Sequence, residues 1–541
     1  MNRGPEKGLR KVFFPFIILS VFLCQLIVVA ASKSPTSDEF SHHIASGYSY
    51  IIKHDLRLNP SMPPLPKLLS GIPLVLAGFK AEFNNDSWLK ADTPGFSRQF
   101  FNHWNSDQTD RITFLARLPI IFLSVLFGWA LYKFGVVYIG QIGALVSLVL
   151  FCFCPDIIAH SALATSDLSV SFFFFLAIVW YIRFLKEPGR KNLIICSIFS
   201  ALSFLSKSTA ILLPPIFILI AFFGGNSKAL RFKFIISFIG LCLLVIWAGY
   251  LFEWKPLLHN ARDLESKASL IKKAGGEGLL SAALHWPLPM PTFFSGVAGM
   301  LLTRVKGTHA FLFGQWSENG WWYYYFAAYV IKNTATVLIF FISAVLFFKK
   351  ISKDKIFLAG IFVPISFFFL ITVFDKAQAG IRYFLPIYPF IFMACGGVVS
   401  YFLSKKIWLL KMACLVLLVW HVFEAALIFP DDLAYFSPIV GGADNGYKYL
   451  RDSNIDWGQD LKKLGAFVGK EDYGELVLFL YAPADPAFYG IHFRVIEEDE
   501  FLKPRKAVYA IGAHRIDAVR WVSQYQPTKI IGHSIFIYDL R

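Results

Sequence analysis

The apolar residues of this chain come in unbroken blocks of about 20, the length at which an α-helix crosses the hydrocarbon of a bilayer. A backbone in lipid must satisfy its own N–H and C=O groups, so such blocks fold as helices. Composition agrees: 56% of the 541 residues are apolar and 16% are charged, against roughly 45–50% and about 25% in a soluble domain. Disorder, collagen and coiled coil are excluded. The first block, residues 12–31, follows Arg3, Lys7, Arg10 and Lys11 and is longer than a signal-peptide core, so it reads as an anchor. Further blocks lie at roughly 112–132, 134–154, 168–185, 193–206, 210–224, 232–252, 323–348, 356–374, 383–403 and 407–429, which makes about eleven spans.

The formal net charge of +16 would raise nucleic acid as a partner in a soluble protein. Its placement argues against that. From Asp431 onward there are thirteen Lys and Arg against sixteen Asp and Glu, so the excess lies earlier, mostly in short loops between apolar blocks. The clusters are Arg183, Lys186, Arg190 and Lys191; Lys228, Arg231 and Lys233; Lys349, Lys350, Lys353 and Lys355; and Lys405, Lys406 and Lys411. With the amino terminus in the cytoplasm all four face inward, the orientation that lysine and arginine impose on a protein of the plasma (inner) membrane. The pair of blocks at 193–224 is short enough to be a re-entrant hairpin. The seven cysteines all lie in or beside apolar blocks and form neither a disulfide framework nor a zinc spacing.

This topology leaves three outer segments, 32–111, 253–322 and 431–541. The first holds two amphipathic stretches, Asp38 to about Lys53 and Pro66 to Phe79, which suit helices lying on the membrane surface. The second ends in an aromatic run from Trp316 to Tyr325, as in an interfacial belt. The last is a small α/β domain. Its pattern predicts a helix over Asp456–Val468, strands over Leu476–Tyr481, Ala507–Ile511 and Ile530–Tyr538, and a second helix near Arg515–Tyr525. The predicted architecture is therefore a polytopic α-helical membrane domain, 1–430, followed by an extracytoplasmic α/β domain, 431–541.

Ionisable residues beside spanning blocks are costly unless paired or employed. Asp38 and Glu39 open the first outer segment, where one carboxylate can take a proton from a hydroxyl while the other orients the substrate; on residue types alone the plainer reading is that Thr36, Ser37 and Asp38 cap an interfacial helix. Asp167 on the same face has the same two readings. Lys207, at the tip of a tight hairpin, and Arg382 also fall on that face, to bind either a substrate phosphate or lipid headgroups. Two acids and two bases on one side of a membrane fit transfer from a lipid-linked phosphate. In the last segment Asp456, Trp457, Gln459 and Asp460 resemble a carbohydrate-contacting cluster, although a helix start with a buried Trp accounts for them as well.

Five runs occur in order: DEFSHHIASGYSYIIKHDLRLNPSMPPLPKLLSGIPL, RITFLARLP, CPDIIAHSALATSD, SKSTAILLPP and RYFLPIYP. Together they resemble the GT-C superfamily of polytopic glycosyltransferases, of the dolichyl-phosphate-mannose protein mannosyltransferase and aminoarabinose transferase type, and GGADNGYKYLRDSNIDWGQDLKKL resembles the outer domain of a bacterial subgroup. The resemblance implies a GT-C-like fold and transfer of a sugar from a polyprenyl-phosphate donor to a protein, lipid or glycan acceptor outside the cytoplasm. It implies Asp38 as catalytic base, Glu39 in acceptor positioning, Asp167 as second acid, and Lys207, Arg382 and, more weakly, Lys67 as phosphate contacts. Met62 stands where relatives carry a basic or polar residue before the paired prolines, so Lys67 or His54 would have to take over, or the donor differs. A magnesium or manganese ion between Asp38 and Asp167 is compatible with hard carboxylate ligands. The rival readings are a transporter or flippase of polyprenyl lipids, or a non-catalytic carrier-lipid-binding protein; no inverted repeat of the transporter kind is present.

Overall fold

The computed structural model describes residues 5–225, 232–256, 286–471 and 473–541. Arg3, Lys228, Arg231 and residues 257–285 of the second outer segment lie outside them. Among the described residues six helices are long and apolar enough to cross a membrane, with a seventh if one bent pair counts as a single span. The principal helices are α1 (Pro5–Ser32), α2 (Ile44–Lys53), α3 (Leu65–Leu76), α4 (Thr109–Tyr138), α5 (Gly140–Cys152), α6 (Pro155–Ser161), α7 (Ser166–Lys186), α8 (Arg190–Ser206), α9 (Leu213–Phe223), α10 (Phe232–Gly249), α11 (Pro291–Lys306), α12 (Tyr324–Lys332), α13 (Ala335–Leu346), α14 (Lys355–Thr372), α15 (Tyr388–Leu403), α16 (Trp408–Ile428) and α17 (Leu461–Val468).

Each expected apolar block carries helix, but several are broken where a polar side chain offers the backbone another partner. The block at 323–348 is two helices. Asn333 donates to the Tyr329 carbonyl and to Tyr388 Oη, and Thr334 caps α13 while bonding His421 Nδ1 at 2.8 Å. Block 134–154 also differs: α4 runs on to Tyr138, and the turn comes at Gly140, whose φ is +76°. From α5 the chain bends by 64° into α6, which starts at Pro155.

The two amphipathic stretches of the first outer segment do not lie apart on a surface. They cross each other in van der Waals contact, with Gly47 and Gly71 at the crossing. A Cβ on Gly47 would fall 1.9 Å from the Lys67 carbonyl oxygen, and one on Gly71 would fall 2.4 Å from the Gly47 carbonyl carbon. Their mutual face is buried from Ile44 to Tyr50.

The C-terminal region holds a sheet of five strands, β1 (Leu476–Phe479), β2 (Phe493–Val495), β3 (Val508–Gly512), β4 (Lys529–Ile531) and β5 (Ile535–Asp539), in the order β2-β1-β3-β5-β4. The pairs β2-β1 and β1-β3 are parallel, and β5 runs antiparallel to both of its neighbours, β3 and β4. The expected strand Ile530–Tyr538 is a hairpin, because Gly532 and His533 both take positive φ, as a two-residue turn of primed type requires. In place of the helix expected near Arg515–Tyr525 there are two short 3₁₀ turns separated by an extended Val519. The helix expected from Asp456 begins only at Leu461. Gly458 at φ +86° interrupts it, and Asp456–Asp460 become a loop pressed against the end of α1. There Ser34 exchanges bonds with Gly458, Gln459 and Leu461, and the buried Lys33 ammonium sits between Asp431 and Asp460. This end of the helix bundle, covered by the C-terminal region, gathers the residues of interest.

Candidate functional site

Asp38 is the residue before a turn of π-helix, Glu39–His43, that leads into α2. Its side chain is 19% exposed, and its Oδ2 accepts a 2.7 Å bond from Arg382 Nη1. Burial by itself would raise the Asp38 carboxyl. The Arg382 guanidinium, with His43 and His42 behind it, outweighs burial and holds the group below the ordinary carboxylate range. Arg382 comes from a 3₁₀ stretch, Ile381–Ile387, that feeds α15; the proline of RYFLP keeps this stretch from starting as a regular helix. Lys207 follows the last turn of α8 with extended backbone, so its side chain leaves the helix axis, and it pairs with Asp167 at the first turn of α7, 2.5 Å away. Asp38, Lys207 and Arg382 thus line one cavity of about 220 Å3, together with His43, Met62, Ser166, Arg304 and Tyr383.

Tyr383 is the centre of this arrangement. Lys207 Nζ, Arg304 Cζ and Arg382 Cζ lie 4.2, 5.4 and 5.7 Å from its ring centroid, within range of attraction to the π face. Each cation also faces a carboxylate: Lys207 faces Asp167, Arg382 faces Asp38, and Arg304 faces Asp375. The site is therefore close to neutral as it stands, and an arriving phosphate competes with three carboxylates for three cations. The polar cavity shares Thr209, Met300 and Arg304 with a second cavity of about 450 Å3, whose walls include Ile211, Leu212, Leu301, Val305, Ile371 and Phe374. A charged chamber beside a largely apolar one, whose remaining walls are Asp375 and Lys376, suits a ligand with an anionic head and a hydrocarbon tail.

Several residues expected at the site are elsewhere. Glu39 is fully buried and does not line the cavity. It accepts from Arg117 Nε and Nη2 at 2.8 and 2.7 Å, from Thr36 N and Oγ1, and from Ala164 N at 2.7 Å. Burial pushes its carboxyl up, Arg117 and the backbone donors pull it down, and the second effect wins. With every lone pair engaged it has nothing left for an acceptor. Lys67 is also fully buried, its three protons going to Tyr50 Oη, Asn59 O and Met62 O at 2.9, 2.7 and 2.8 Å. It is a brace for the loop before PPLP, not a phosphate contact. His54 ends α2 in the left-handed conformation with an exposed side chain, outside the cavity, so it does not replace a base at Met62. Asp167 reaches the chamber only through Lys207. Asp456 is buried, bonded by Gly458 N and His514 N, with its carboxyl pushed up to about 7 by burial. Trp457 is 4% exposed, with its ring under the Arg382 guanidinium at 4.4 Å, so neither residue offers a free sugar-binding face.

Further side chains with chemistry of their own line the two cavities or hold the residues that do. His43 is buried with no hydrogen-bond partner for Nδ1, and burial pushes it down to about 4, so it enters the cavity as a neutral imidazole. Tyr383 was visible inside RYFLP, whereas Arg304 on α11, and Asp375 that holds it, carried no motif. Arg117, which holds Glu39, stood as an arginine inside an apolar block, the kind of charge that calls for a partner.

A divalent ion shared by Asp38 and Asp167 does not fit the residues present. Each carboxylate already faces its own cation, and among the described residues no group of three or more His, Cys, Asp or Glu side chains is placed to hold a metal.

Residues 110–250, which include Asp167 and Lys207, match the family model described as dolichyl-phosphate-mannose-protein mannosyltransferase. No curated protein matches the chain. Among solved structures, ArnT from Cupriavidus metallidurans, determined with undecaprenyl phosphate bound, is similar with a TM-score of 0.50 at 10% identity, over 96% of this chain and 97% of that one. The apo oligosaccharyltransferase of Archaeoglobus fulgidus aligns at a TM-score of 0.46 and 13% identity, over 86% of this chain and 59% of its own. The chain is a multi-pass membrane protein with a GT-C-like fold, similar to ArnT along its length and to the dolichyl-phosphate-mannose-protein mannosyltransferases over residues 110–250.

Proposed function

We propose that the protein is a glycosyltransferase that moves a sugar from a polyprenyl-phosphate donor to a hydroxyl acceptor on the extracytoplasmic face, with Asp38 as base. The observation that carries this reading is the adjacency of the two cavities: Asp38, Lys207 and Arg382 line a polar chamber that shares the walls Thr209, Met300 and Arg304 with a largely apolar one. The isoprenoid tail occupies the apolar cavity, and the phosphate lies at the junction among Lys207, Arg304 and Arg382. ArnT, which shares the fold, was solved with a lipid phosphate of this class.

In the reaction the Asp38 carboxylate takes the acceptor hydroxyl proton as the acceptor oxygen forms its bond to the anomeric carbon. The bond from that carbon to the phosphate oxygen breaks, its electron pair goes to the phosphate, and the three cations stabilise the charge that develops there. Asp38 is the one acid lining the polar chamber among the described residues, which supports a single displacement with inversion; retention would need a second carboxylate as nucleophile, about 5 Å from the first. Residues 1–430 form the transferase domain in this reading, and 431–541 complete it.

Asp38→Asn keeps the shape of the side chain and removes the base. It is expected to lower transfer from a polyprenyl-phosphate sugar by at least about 100-fold while donor binding is kept or strengthened, because Arg382 no longer faces a carboxylate. A protein that only binds or moves the lipid would keep its function in this variant, so near-normal transfer by Asp38→Asn would refute the assignment.

A further inference from the structure

The short segment Ser453–Leu461 touches both stretches of chain that carry the Asp38–Arg382 pair, and the transfer chemistry assigns it no task. On the Arg382 side, Ser453 Oγ donates to the Ala379 carbonyl at 2.9 Å and Asn454 Oδ1 accepts from Ile381 N at 2.9 Å. Gly380 between them has φ +99°, and a Cβ there would meet Ser453 Oγ at 2.9 Å and the Asn454 amide at 3.0 Å, so the two segments are as close as their backbones permit. On the Asp38 side, the Trp457 carbonyl accepts from Ser37 N at 2.9 Å, and Gly458 and Gln459 carbonyls accept from Ser34. The residues next to Asp38 and Arg382 in sequence, Ser37 and Ile381, are thus both bonded to one loop.

That loop is held from behind. Lys332 Nζ donates to the Asn454 carbonyl at 2.8 Å, and Gln459 Oε1 accepts from Trp457 N at 2.8 Å. The Trp457 indole does something further: its ring centroid lies 4.4 Å from the Arg382 guanidinium carbon, a cation–π contact on the same group whose Nη1 donates to Asp38.

We infer that Trp457 is a positioning residue for Arg382, and that the loop 453–461 sets the geometry of the Asp38–Arg382 pair, making the C-terminal region part of the reacting unit. The inference rests on the reading of Asp38 as base. It differs from a carbohydrate-binding role for Trp457, because the ring face is spent on the protein's own cation.

The charged and titratable groups facing Asp38 are Arg382 from the turn before α15 and His42 and His43 from its own π-helix; Asp167, Lys207, Arg304 and Asp375 flank the same chamber. A base with a lowered pKa works down to a lower pH. Loosening Arg382 raises the Asp38 pKa, so the acid limb of activity moves to higher pH. The test uses full-length wild type, Trp457→Leu and Trp457→Phe in lipid nanodiscs. Two readouts are taken across pH: kcat/KM for transfer from a polyprenyl-phosphate sugar, and carbodiimide labelling of Asp38 followed by mass spectrometry. Trp457→Leu is expected to lose about 100-fold in kcat/KM, with the acid limb and the labelling profile of Asp38 both displaced to higher pH. Trp457→Phe keeps an aromatic face and is expected to lie between the two. An acid limb and a labelling profile that stay at wild-type pH in Trp457→Leu, or in Trp457→Phe if the Leu variant does not fold, would overturn the inference, whatever happens to turnover. Failure of wild type to transfer any polyprenyl-phosphate sugar would instead remove the transferase reading, while the labelling profiles would still decide whether Trp457 acts on Asp38 through Arg382.

Discussion

Asp38 and Glu39 are neighbours in sequence, each meets an arginine from far along the chain, and the two pairs are built for different ends. Glu39 and Arg117 are both fully buried, and the guanidinium spends all five N–H groups, two on Glu39 and three on the carbonyls of Ala30, Lys33 and Ser34. Such a pair is closed: desolvation of both charges is offset by full hydrogen bonding, and nothing remains to offer a ligand. Asp38 and Arg382 share one bond at the wall of a cavity, and the rest of the guanidinium is held by Trp457 and the Ala379 carbonyl. What separates structural from available charge here is saturation of the hydrogen-bonding capacity, since burial alone does not distinguish them: Asp167 is as hidden as Glu39, yet its partner Lys207 lines the chamber.

The contrast can be broken at either pair. The largest effect on the fold is expected from Glu39→Ala, which strands Arg117 in the interior and should cost about 3–5 kcal/mol; thermal unfolding in detergent measures it, and an unchanged midpoint would show that the closed pair is not what docks the first outer segment on α4. The open pair should respond in ligand affinity instead. Lys207→Ala and Arg382→Ala are each expected to weaken binding of a polyprenyl phosphate by about 10-fold, the scale of one partly screened charge contact, with stability reduced less than in Glu39→Ala. Titration with the lipid phosphate by intrinsic fluorescence would show equal affinity in mutant and wild type if the cations do not face it. The smallest effect belongs to His54→Ala at the exposed end of α2, expected within about 0.5 kcal/mol of wild type in stability and with the same affinity for lipid phosphate. A measurable loss of that affinity would bring His54 back to the site.

Much of the candidate site was legible because it is written in local terms. A charged residue beside an apolar block is conspicuous in any sequence, and Asp38, Lys207 and Arg382, which line the cavity, and Asp167, which pairs with Lys207, all stand out that way. The five ordered motifs pointed to the same fold that ArnT shares. The readings that changed are those whose outcome depends on a distant carbonyl. Lys67 looks like a phosphate ligand until Asn59 and Met62 take its protons, and Trp457 looks like a sugar platform until Arg382 covers its face. Arg304 reached the chamber with no motif to announce it, because α11 is joined to the site through tertiary contacts, with the turn after Lys207, the Tyr383 ring and Asp375.

Sequence alone determines that this chain enters a bilayer as a bundle of helices, and that its acids and bases collect at the helix ends, because twenty apolar residues in a row and a charge at their border have few other solutions. Only the tertiary structure decides which charges are consumed and which remain available. A hydrogen-bond inventory is closed by groups hundreds of residues apart, as when Trp457 meets Arg382 and Ser37 at once, and no local pattern records that closure.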